Sequence, residues 1–325
     1  MNTSKPTTKK ILLSGVKPTG RPHLGNYFGA MKQFADNQDS HESYIFVADY
    51  HALNNVQNGS ELKQATIDIV LDYLAIGLDP KKVCLFKQSD VPQVTELCCI
   101  FNTFTTMPYL MRAHAYKDAE AKNKEINVGT FDYPILMAAD ILMQDADIVP
   151  VGKDQRQHVE YARDAAEKFN RVFGNGEEIF KLPKDMIIES VETVPGIDGQ
   201  KMSKSYNNTI PLFAEDTEIQ KLCMSIVTDS SGELPKNVYA IHKLFRDEEY
   251  LKKLYEDNKG KYKILKEALA ADVKAFITPI RERRKEFAKN IPEVLSILKA
   301  GGEKARARAE IKMNIVRKVV GVDVY

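Results

Sequence analysis

The chain has 325 residues, enough for one large domain with a full hydrophobic core and a smaller second domain. An apolar content of 43% and a charged content of 28% are typical of globular proteins, and no run of about 18 apolar residues predicts a membrane span. The four cysteines include no CxxC pair, and the polar start of the chain has no apolar segment. We therefore expect a cytoplasmic protein without a signal peptide and exclude a secreted disulfide scaffold.

Positive charge is concentrated near the end of the sequence. From Lys261 onward there are 16 Lys and Arg residues against 8 Asp and Glu residues, whereas the net charge of the whole chain is +1. This balance of +8 leaves −7 for the preceding residues. A basic end on an acidic body suggests a polyanionic partner, and a solvated helical face explains the same charges equally well.

Short apolar segments alternate with helical patterns over the first part of the chain. The predicted buried strands are 11–13, 44–48, 83–86 and 147–152. Apolar residues at helical spacing predict helices at about 23–35, 61–76 and 93–103, and a helix that is apolar on all sides follows Pro134. Strands that alternate with helices predict an α/β fold with a Rossmann-like, doubly wound parallel sheet.

Two further regions lack strand signals. The polar residues from His114 to Asn127 predict a mobile stretch. Beyond Ser205 the pattern predicts only helices, with loops at 230–232 and 301–302, where serine and glycine cluster.

Four residues follow predicted strands and should line one crevice, because ligands bind at the carboxyl ends of the strands in an open parallel sheet. They are Gly15, Asp49, Gly152 and Asp154.

The segment PHLGNY, residues 22–27, opens the first predicted helix. Free N–H groups and the helix dipole favour a phosphate at such a position. Gly25 would let an adenine or a ribose lie against the backbone. By itself, His23 is more simply a surface histidine that caps the helix.

Asp140 is a carboxylate within the apolar helix, where an unpaired charge would cost on the order of several kcal/mol. We expect it to accept a hydrogen bond from a ring N–H or a phenol O–H of a ligand, which would reject analogues that lack this donor. An internal cap or salt bridge is the alternative.

The segment KMSKS, residues 201–205, puts two ammonium groups and two hydroxyl groups on a loop that begins with Gly196-Ile197-Asp198-Gly199. Cations that tighten on a departing pyrophosphate stabilise the transition state more than the ground state. A lysine pair by itself is usually solvated. Combined with the helix-opening motif far upstream, this pair predicts ATP binding, with a loop that closes after ATP arrives.

These motifs, in this order, resemble those of the bacterial tryptophanyl-tRNA synthetases, a family of class I aminoacyl-tRNA synthetases. The similar segments are 18–20 (PTG), 23–27 (HLGNY), 137–142 (MAADIL), 150–155 (PVGKDQ) and 201–205 (KMSKS). The first-helix and lysine motifs are shared by all class I synthetases. The segments around Asp140 and 152–155 favour tryptophan within that class. The resemblance extends from about Ile11 to the end of the chain.

The resemblance implies a tryptophan–tRNA ligase that uses ATP and Mg²⁺ to form tryptophanyl-adenylate and transfers the tryptophan to tRNA(Trp). It implies a cytoplasmic homodimer that binds neither DNA nor a membrane. Residues 1–200 would form the Rossmann-like catalytic domain with the dimer interface. Residues 201–325 would form a mobile lysine loop and a helical anticodon-binding domain, whose last helix is a candidate to pack back on the catalytic domain.

The resemblance also implies three sets of site residues. The implied catalytic residues are Lys17, His23, Asn26, Lys201 and Lys204. The implied ATP-binding residues are Gly15, Lys17, Thr19, His23, Gly25, Asn26, Gly152, Asp154, Lys201, Met202, Ser203, Lys204 and Ser205. The implied amino-acid-binding residues are Leu13, His51, Tyr133, Met137, Asp140 and Gln155, with Asp140 as the acceptor of the indole N–H.

Two lysines have open roles. Many relatives carry Gln at the position of Lys17, where a cation suits either the substrate carboxylate or the α-phosphate. Lys117 is a further candidate cation for the phosphates, or else a surface lysine. The alternative functions are a tyrosine-specific synthetase, since Asp140 suits a phenol as well, a non-catalytic synthetase-like RNA-binding protein, and a small-molecule adenylyltransferase of related fold.

Overall fold

Five parallel strands form the sheet at the centre of the structure, a computed structural model that describes residues 9–122, 125–152, 156–187, 194–228 and 234–324. The strands are β1 (Ile11–Val16), β2 (Glu42–Val47), β3 (Val83–Lys87), β4 (Ile148–Val151) and β5 (Lys184–Ile187). Their order is β3-β2-β1-β4-β5, and the register pairs Ile11 with Glu42 and Leu12 with Ile148. The predicted doubly wound parallel sheet is therefore confirmed, and its order reverses between β1 and β4, where such sheets bind ligands.

The helices flank this sheet and continue to the end of the described residues. In chain order they are α1 (Leu24–Asn26), α2 (Lys32–Asn37), α3 (Asp49–Ala52), α4 (Gly59–Ala75), α5 (Gln93–Asn102), α6 (Met107–Leu110), α7 (His114–Ala121), α8 (Val128–Met143), α9 (Arg156–Phe173), α10 (Asp216–Ser225), α11 (Lys236–His242), α12 (Glu248–Asp257), α13 (Tyr262–Ala288) and α14 (Ile291–Val320). A π-helical turn, Tyr27–Met31, joins α1 to α2, so the first predicted helix is present with one irregular turn.

Alternate residues along the strands face two hydrophobic cores, as the period of two in a strand requires. Leu12, Ile45 and Leu85 belong to the core that contains α4 and α10–α13. Leu13 and Phe46 belong to the opposite core, which contains α5, α8 and α9. Since both faces of the sheet are covered, the strands read as continuous apolar runs, and this is why four of them were predicted.

The strand β5 escaped prediction because it is a four-residue strand at one edge of the sheet. Its sequence, Lys-Asp-Met-Ile, begins with two charged residues and has no apolar run. It is a strand because it pairs with β4, and its local sequence alone does not predict one.

The loop predicted at Gly301 and Gly302 is wrong, because both residues lie inside α14. Part of the polar stretch 114–127 forms the helix α7. A Cβ atom on Gly301 would collide with the backbone oxygen of Leu85, and one on Gly302 would come 2.6 Å from Asp90 Oδ2. The glycine pair therefore allows α14 to lie directly on β3 rather than interrupting the helix. The other predicted loop, 230–232, lies outside the described residues.

The residues after 201 cover both faces of the sheet. Helix α13 packs on α4, while α14 packs on β3 and α5. A row of residues on α14 enters the core that contains α8: Ala305, Ala309, Met313 and Val316. The last long helix thus lies against the α/β part of the chain.

Several C-terminal cations pair with carboxylates of the α/β part. Arg284 on α13 bonds Asp72 and Asp68 on α4, each at 2.5 Å. Arg317 on α14 bonds Glu96 on α5 with two contacts of 2.8 and 2.7 Å. Part of the positive charge at the C-terminal end therefore holds the C-terminal helices on the acidic body of the protein. The charge count alone could not distinguish this role from a binding site for a polyanion. Among the described helices, none is both long and apolar enough to cross a membrane.

Candidate active site

His23 is the N-cap of α1 and forms a reciprocal pair with Asn26. The N–H of Asn26 donates to His23 Nδ1 at 3.3 Å, and the N–H of His23 donates to Asn26 Oδ1 at 3.1 Å. Burial, together with the charge of Lys204, lowers the pKa of His23 to about 4. The ring is therefore neutral near pH 7. Because Nδ1 accepts a hydrogen bond, the proton lies on Nε2, which can donate to an anion.

The helix-opening motif is joined backbone to backbone with residues 210–212, which follow the lysine loop. The N–H of Leu24 donates to Ile210 O at 3.0 Å, and that of Leu212 donates to Pro22 O at 3.0 Å. The N–H of Gly25 also donates to Met202 Sδ at 3.3 Å. Two motifs separated by most of the α/β domain thus form one wall.

Gly25 has no space for a side chain. A Cβ atom there would lie 2.9 Å from the His23 ring and 3.4 Å from Met202. Met202 is 4% exposed, so it packs beneath α1 and anchors the lysine loop rather than facing the solvent.

Asn208 shapes the lysine loop, and no sequence signal indicated it. Its Oδ1 accepts from the N–H of Ser203 at 2.7 Å, while its Nδ2 donates to Lys201 O at 3.0 Å and to Asp198 Oδ1 at 2.7 Å. The side chain is 1% exposed. A buried amide with three partners fixes the loop more tightly than turn residues do, but an Asn among polar residues is indistinguishable from an ordinary turn residue.

Lys204 reaches from the loop to the turn after β1. Its Nζ donates to Thr19 O at 3.1 Å and lies beside Gly20, whose φ is +86°. Partial burial lowers the pKa of Lys204. Ser203 caps the short turn that follows, accepting from the N–H of Ser205 at 3.3 Å.

A cleft of about 400 Å³ opens between these groups. Its lining includes Gly20, Arg21, His23, Lys204 and Thr209. Lys201 is exposed at the start of the same loop segment. An ammonium group, a guanidinium group and a neutral N–H donor together suit a polyphosphate.

Lys17 directly follows β1 and lies against the aromatic ring of Tyr133. Its Nζ lies 5.6 Å from the centroid of the Tyr133 ring. Desolvation by its surroundings lowers the pKa of Lys17, although the side chain still reaches the solvent. The cation is therefore held over an aromatic face, where it can meet an anionic group of a substrate.

Asp140 has two protein partners. The Nε2 of Gln88 donates to both of its oxygens at 3.0 and 2.9 Å. His51 Nε2 lies 3.0 Å from Asp140 Oδ2 and donates, because a carboxylate oxygen only accepts. Burial raises the pKa of Asp140, and these hydrogen bonds oppose that rise. Gln88 lies on the turn after β3, and it was not predicted as a site residue because a single glutamine belongs to no recognisable motif.

One face of α8 presents Tyr133, Met137 and Asp140, which are spaced by four and three residues. The ring of Tyr133 stands edge-on to that of His51, with centroids 6.2 Å apart, and its hydroxyl lies 2.8 Å from His158 Nε2. Leu13 lines a small cavity together with Asp140. The structure therefore gathers the predicted amino-acid residues within the described ranges on one side of the sheet, with Met137 half-buried on the same helix face.

The remaining predicted residues differ in outcome. Gly15 lies at the end of β1, where a Cβ would come 2.7 Å from the Phe46 ring, and Gly152 follows β4. Asp49, expected to face the crevice, instead accepts from the N–H and the hydroxyl of Ser89 and from its neighbour's N–H, which is a structural role. Lys117 is exposed on α7, and the described contacts join it to no site residue.

Two predicted residues cannot be placed. Asp154 and Gln155 lie outside the described residues, as does Lys153 of the same motif.

Comparison with known sequences identifies one family. The sequence model of the tRNA synthetases class I (W and Y) matches residues 5–293.

Individual relatives are similar along almost their whole length. The tryptophan–tRNA ligase of Fusobacterium nucleatum subsp. nucleatum is 46% identical over 321 residues, which cover 96% of this chain and 98% of the relative. The tryptophan–tRNA ligase of Rhodopirellula baltica is 44% identical over 320 residues, which cover 96% of this chain and 99% of the relative. The crystal structure of the tryptophanyl-tRNA synthetase of Campylobacter jejuni with ADP and tryptophan has a TM-score of 0.88 at 43% identity, and covers 96% of this chain and 99% of that one.

Proposed function

The chain belongs to the class I tRNA synthetases of the tryptophan and tyrosine family, and we infer that it activates L-tryptophan with ATP and transfers it to tRNA(Trp). It is a tryptophan–tRNA ligase, as are its relatives at 44% and 46% identity. The tyrosyl-tRNA synthetase of Archaeoglobus fulgidus is only 20% identical and shares the fold. The observations that carry the residue roles below are the cleft lined by Arg21, His23 and Lys204, and the buried carboxylate of Asp140 held by Gln88.

We propose that Asp140 selects tryptophan. Its carboxylate is held in place by Gln88 and His51, and a carboxylate has enough lone pairs to accept the indole N–H as well. An analogue without that donor would leave a buried anion with one acceptor site unfilled, which disfavours its binding. Tyr133 and Met137, on the same face of α8, would supply the apolar walls.

The adenylation step forms a bond between a tryptophan carboxylate oxygen and the α-phosphorus of ATP. The bond from that phosphorus to the pyrophosphate oxygen breaks, and pyrophosphate leaves with the added negative charge. Lys201 and Lys204 would neutralise this charge, and Nε2–H of His23 would donate to a phosphate oxygen. Lys17, beside Tyr133, would bring the substrate carboxylate toward the α-phosphate.

In the second step, a hydroxyl of the terminal ribose of tRNA attacks the activated carbonyl, and AMP leaves. We propose residues 1–200 as the catalytic domain, and residues 201–325 as the lysine loop and the helical part that receives the anticodon. Exposed basic residues remain on α13 and α14 beside those that pair internally, for example Arg283 and Lys318. Contacts of such residues with phosphates would make tRNA binding weaken with salt.

We also propose that Mg²⁺ enters with ATP. Apart from the carboxylate of Glu218, the charged groups that line the cleft are cations, and no group of three His, Cys, Asp or Glu within the described ranges could hold a metal by itself. Magnesium commonly keeps several waters and binds through substrate phosphates, so these residues fit a metal that ATP brings. When bound, it would neutralise phosphate charge alongside Lys201 and Lys204.

Two further properties are proposals. A homodimer follows from the family resemblance, and sedimentation of the purified chain would test it. A cytoplasmic location follows from a role in charging tRNA for translation, and fractionation of cells would test it.

Amino-acid-dependent exchange between ATP and pyrophosphate, run with each of the twenty amino acids and no tRNA, tests the adenylation step. We expect exchange with tryptophan alone. Exchange with tyrosine would overturn the specificity but keep the mechanism. No exchange with any amino acid, with or without tRNA, would favour a non-catalytic RNA-binding relative.

A further inference from the structure

Gln144 ends the pocket helix α8, one turn beyond Asp140. Its side chain is 1% exposed. The Nε2 group donates to the backbone oxygen of Ala305 on α14 at 3.3 Å. The Oε1 atom is buried and accepts no hydrogen bond from any described residue. A buried amide oxygen without a donor is costly, so this atom requires a partner that protein groups do not provide.

A small cavity lies between Gln144 and Asp140. It offers about 10 Å³ to the centre of a water molecule. Three polar residues line it, namely Gln88, Asp140 and Gln144, and the other walls are apolar: Leu13, Phe46, Phe86 and Val94. Cavities lined only by apolar groups stay dry, whereas a cavity of this size with two to four polar neighbours has room for one water.

We propose that this cavity binds one water molecule, which donates to Gln144 Oε1 and to the carboxylate of Asp140, and that Gln144 is thereby a positioning residue for tryptophan selection. The role in selection rests on the proposed function, whereas the water site itself does not. The two O–H groups of water match the two acceptors. The carboxylate is then held from the side of Gln144 as well as by Gln88 and His51.

The water would also connect the pocket to the C-terminal helix. Besides Gln144 Nε2 and Ala305 O, the Nε of Arg308 on α14 donates to Gln144 O at 3.0 Å. Lys312 on α14 pairs with the adjacent Asp145 at 2.8 Å. The end of α8 is thus fixed by α14, and the water would extend this support to the group that reads the substrate.

Two variants test the proposal with full-length protein. Gln144→Met keeps the length of the side chain and removes the acceptor. Val94→Ile adds one methylene to the apolar wall and fills the cavity without touching a polar group. The matched control is Gln93→Met, because Gln93 is also buried and bonds α14 through Glu310 but does not line the cavity.

We expect the KM for tryptophan in pyrophosphate exchange to rise by roughly fivefold in both variants, as the loss of one ordinary hydrogen bond predicts. The KM for ATP should stay within about twofold, and Gln93→Met should change neither constant. A merely structural role would move the melting temperature and both KM values together. An unchanged tryptophan KM in folded Gln144→Met and Val94→Ile would overturn the positioning role.

A high-resolution crystal structure of the wild-type chain tests the water directly, even if Gln144→Met fails to fold. Density for one water within hydrogen-bond distance of Gln144 Oε1 and Asp140 supports the site, and a dry cavity overturns it. Absence of any exchange in the wild type would refute the proposed function while leaving this crystallographic result decisive for the water.

Discussion

The ammonium group of Lys204 donates a hydrogen bond of 3.1 Å to the backbone oxygen of Thr19, 185 residues earlier in the chain. This contact joins the lysine loop to the turn after β1, and it places the cation beside His23 at the mouth of the cleft. A lysine held by a neutral carbonyl keeps its charge available for an anion. The same contact therefore positions Lys204 without neutralising it.

Replacing Lys204 with Ala should lower the kcat of pyrophosphate exchange by about 100-fold and leave the tryptophan KM within about twofold. The reason is that the charge of Lys204 acts on the departing pyrophosphate, not on the amino acid. Lys252→Ala, an exposed lysine on α12, is the control. Unchanged turnover with a raised tryptophan KM would contradict this role.

Asp140→Asn should raise the tryptophan KM by roughly 10- to 100-fold and reduce discrimination against phenylalanine, because the amide loses an acceptor and brings a donor toward the Gln88 amide. Exchange rates with both amino acids measure the effect. Asp132→Asn, on the same helix but bonded to Asn102, is the matched control. Discrimination equal to that of the wild type would remove Asp140 from the pocket.

Asn208→Ala should raise the KM for ATP and lower kcat by at least about tenfold, while tryptophan binding stays unchanged. The three bonds that shape the segment 198–203 would be lost, so limited proteolysis within it should also accelerate. Asn258→Ala, which removes one bond to Leu254, provides a comparison outside the site. If cleavage and ATP kinetics both match the wild type, Asn208 does not hold the loop.

The histidine at the N-cap predicts a pH-dependent stability. The folded-state pKa of His23, about 4, lies below the ordinary value of 6.5, so the unfolded chain takes up the proton first as the pH falls. Stability from this group is full above about pH 6.5 and is lost toward pH 4, by at most about 3 kcal/mol.

Urea unfolding at pH 7 and pH 5 measures this loss. His23→Asn, which keeps a capping acceptor without a titrating group, should show a smaller difference between the two pH values. His41→Asn, outside the cleft, should behave like the wild type. An equal pH dependence in His23→Asn and the wild type would be incompatible with a buried neutral His23.

Gly301→Ala should destabilise the protein by about 2 kcal/mol or more, since its Cβ would collide with Leu85 O and push α14 away from β3. Thermal unfolding measures the change. Gly59→Ala, in the first turn of α4 with open space around its Cβ, should be neutral or slightly stabilising. A melting temperature unaltered by Gly301→Ala would mean that α14 does not need this close approach.

Much of the fold was predictable because the relevant signals are local. Each buried strand of the sheet except β5 has an apolar run of its own, and the helix after β1 repeats apolar residues with a helical period. The phosphate motifs were also recognisable, since an N-terminal helix turn and a lysine-rich loop have their chemistry in adjacent residues. That His23 and Lys204 share one cleft was expected from this chemistry, and the structure brings them together.

The sequence by itself determined the α/β class, the segments suited to ATP, and the candidate carboxylate within an apolar helix. Only the tertiary structure decided which groups surround them. Gln88 and Asn208 have their roles because of hydrogen bonds that no periodic pattern in the sequence predicts. The same would hold for Gln144. Gly301 is typical of a loop in the sequence but lies inside a helix, where a glycine is required because Leu85 of β3 approaches so closely. Local patterns set what a segment can form, and long-range packing sets what it contacts.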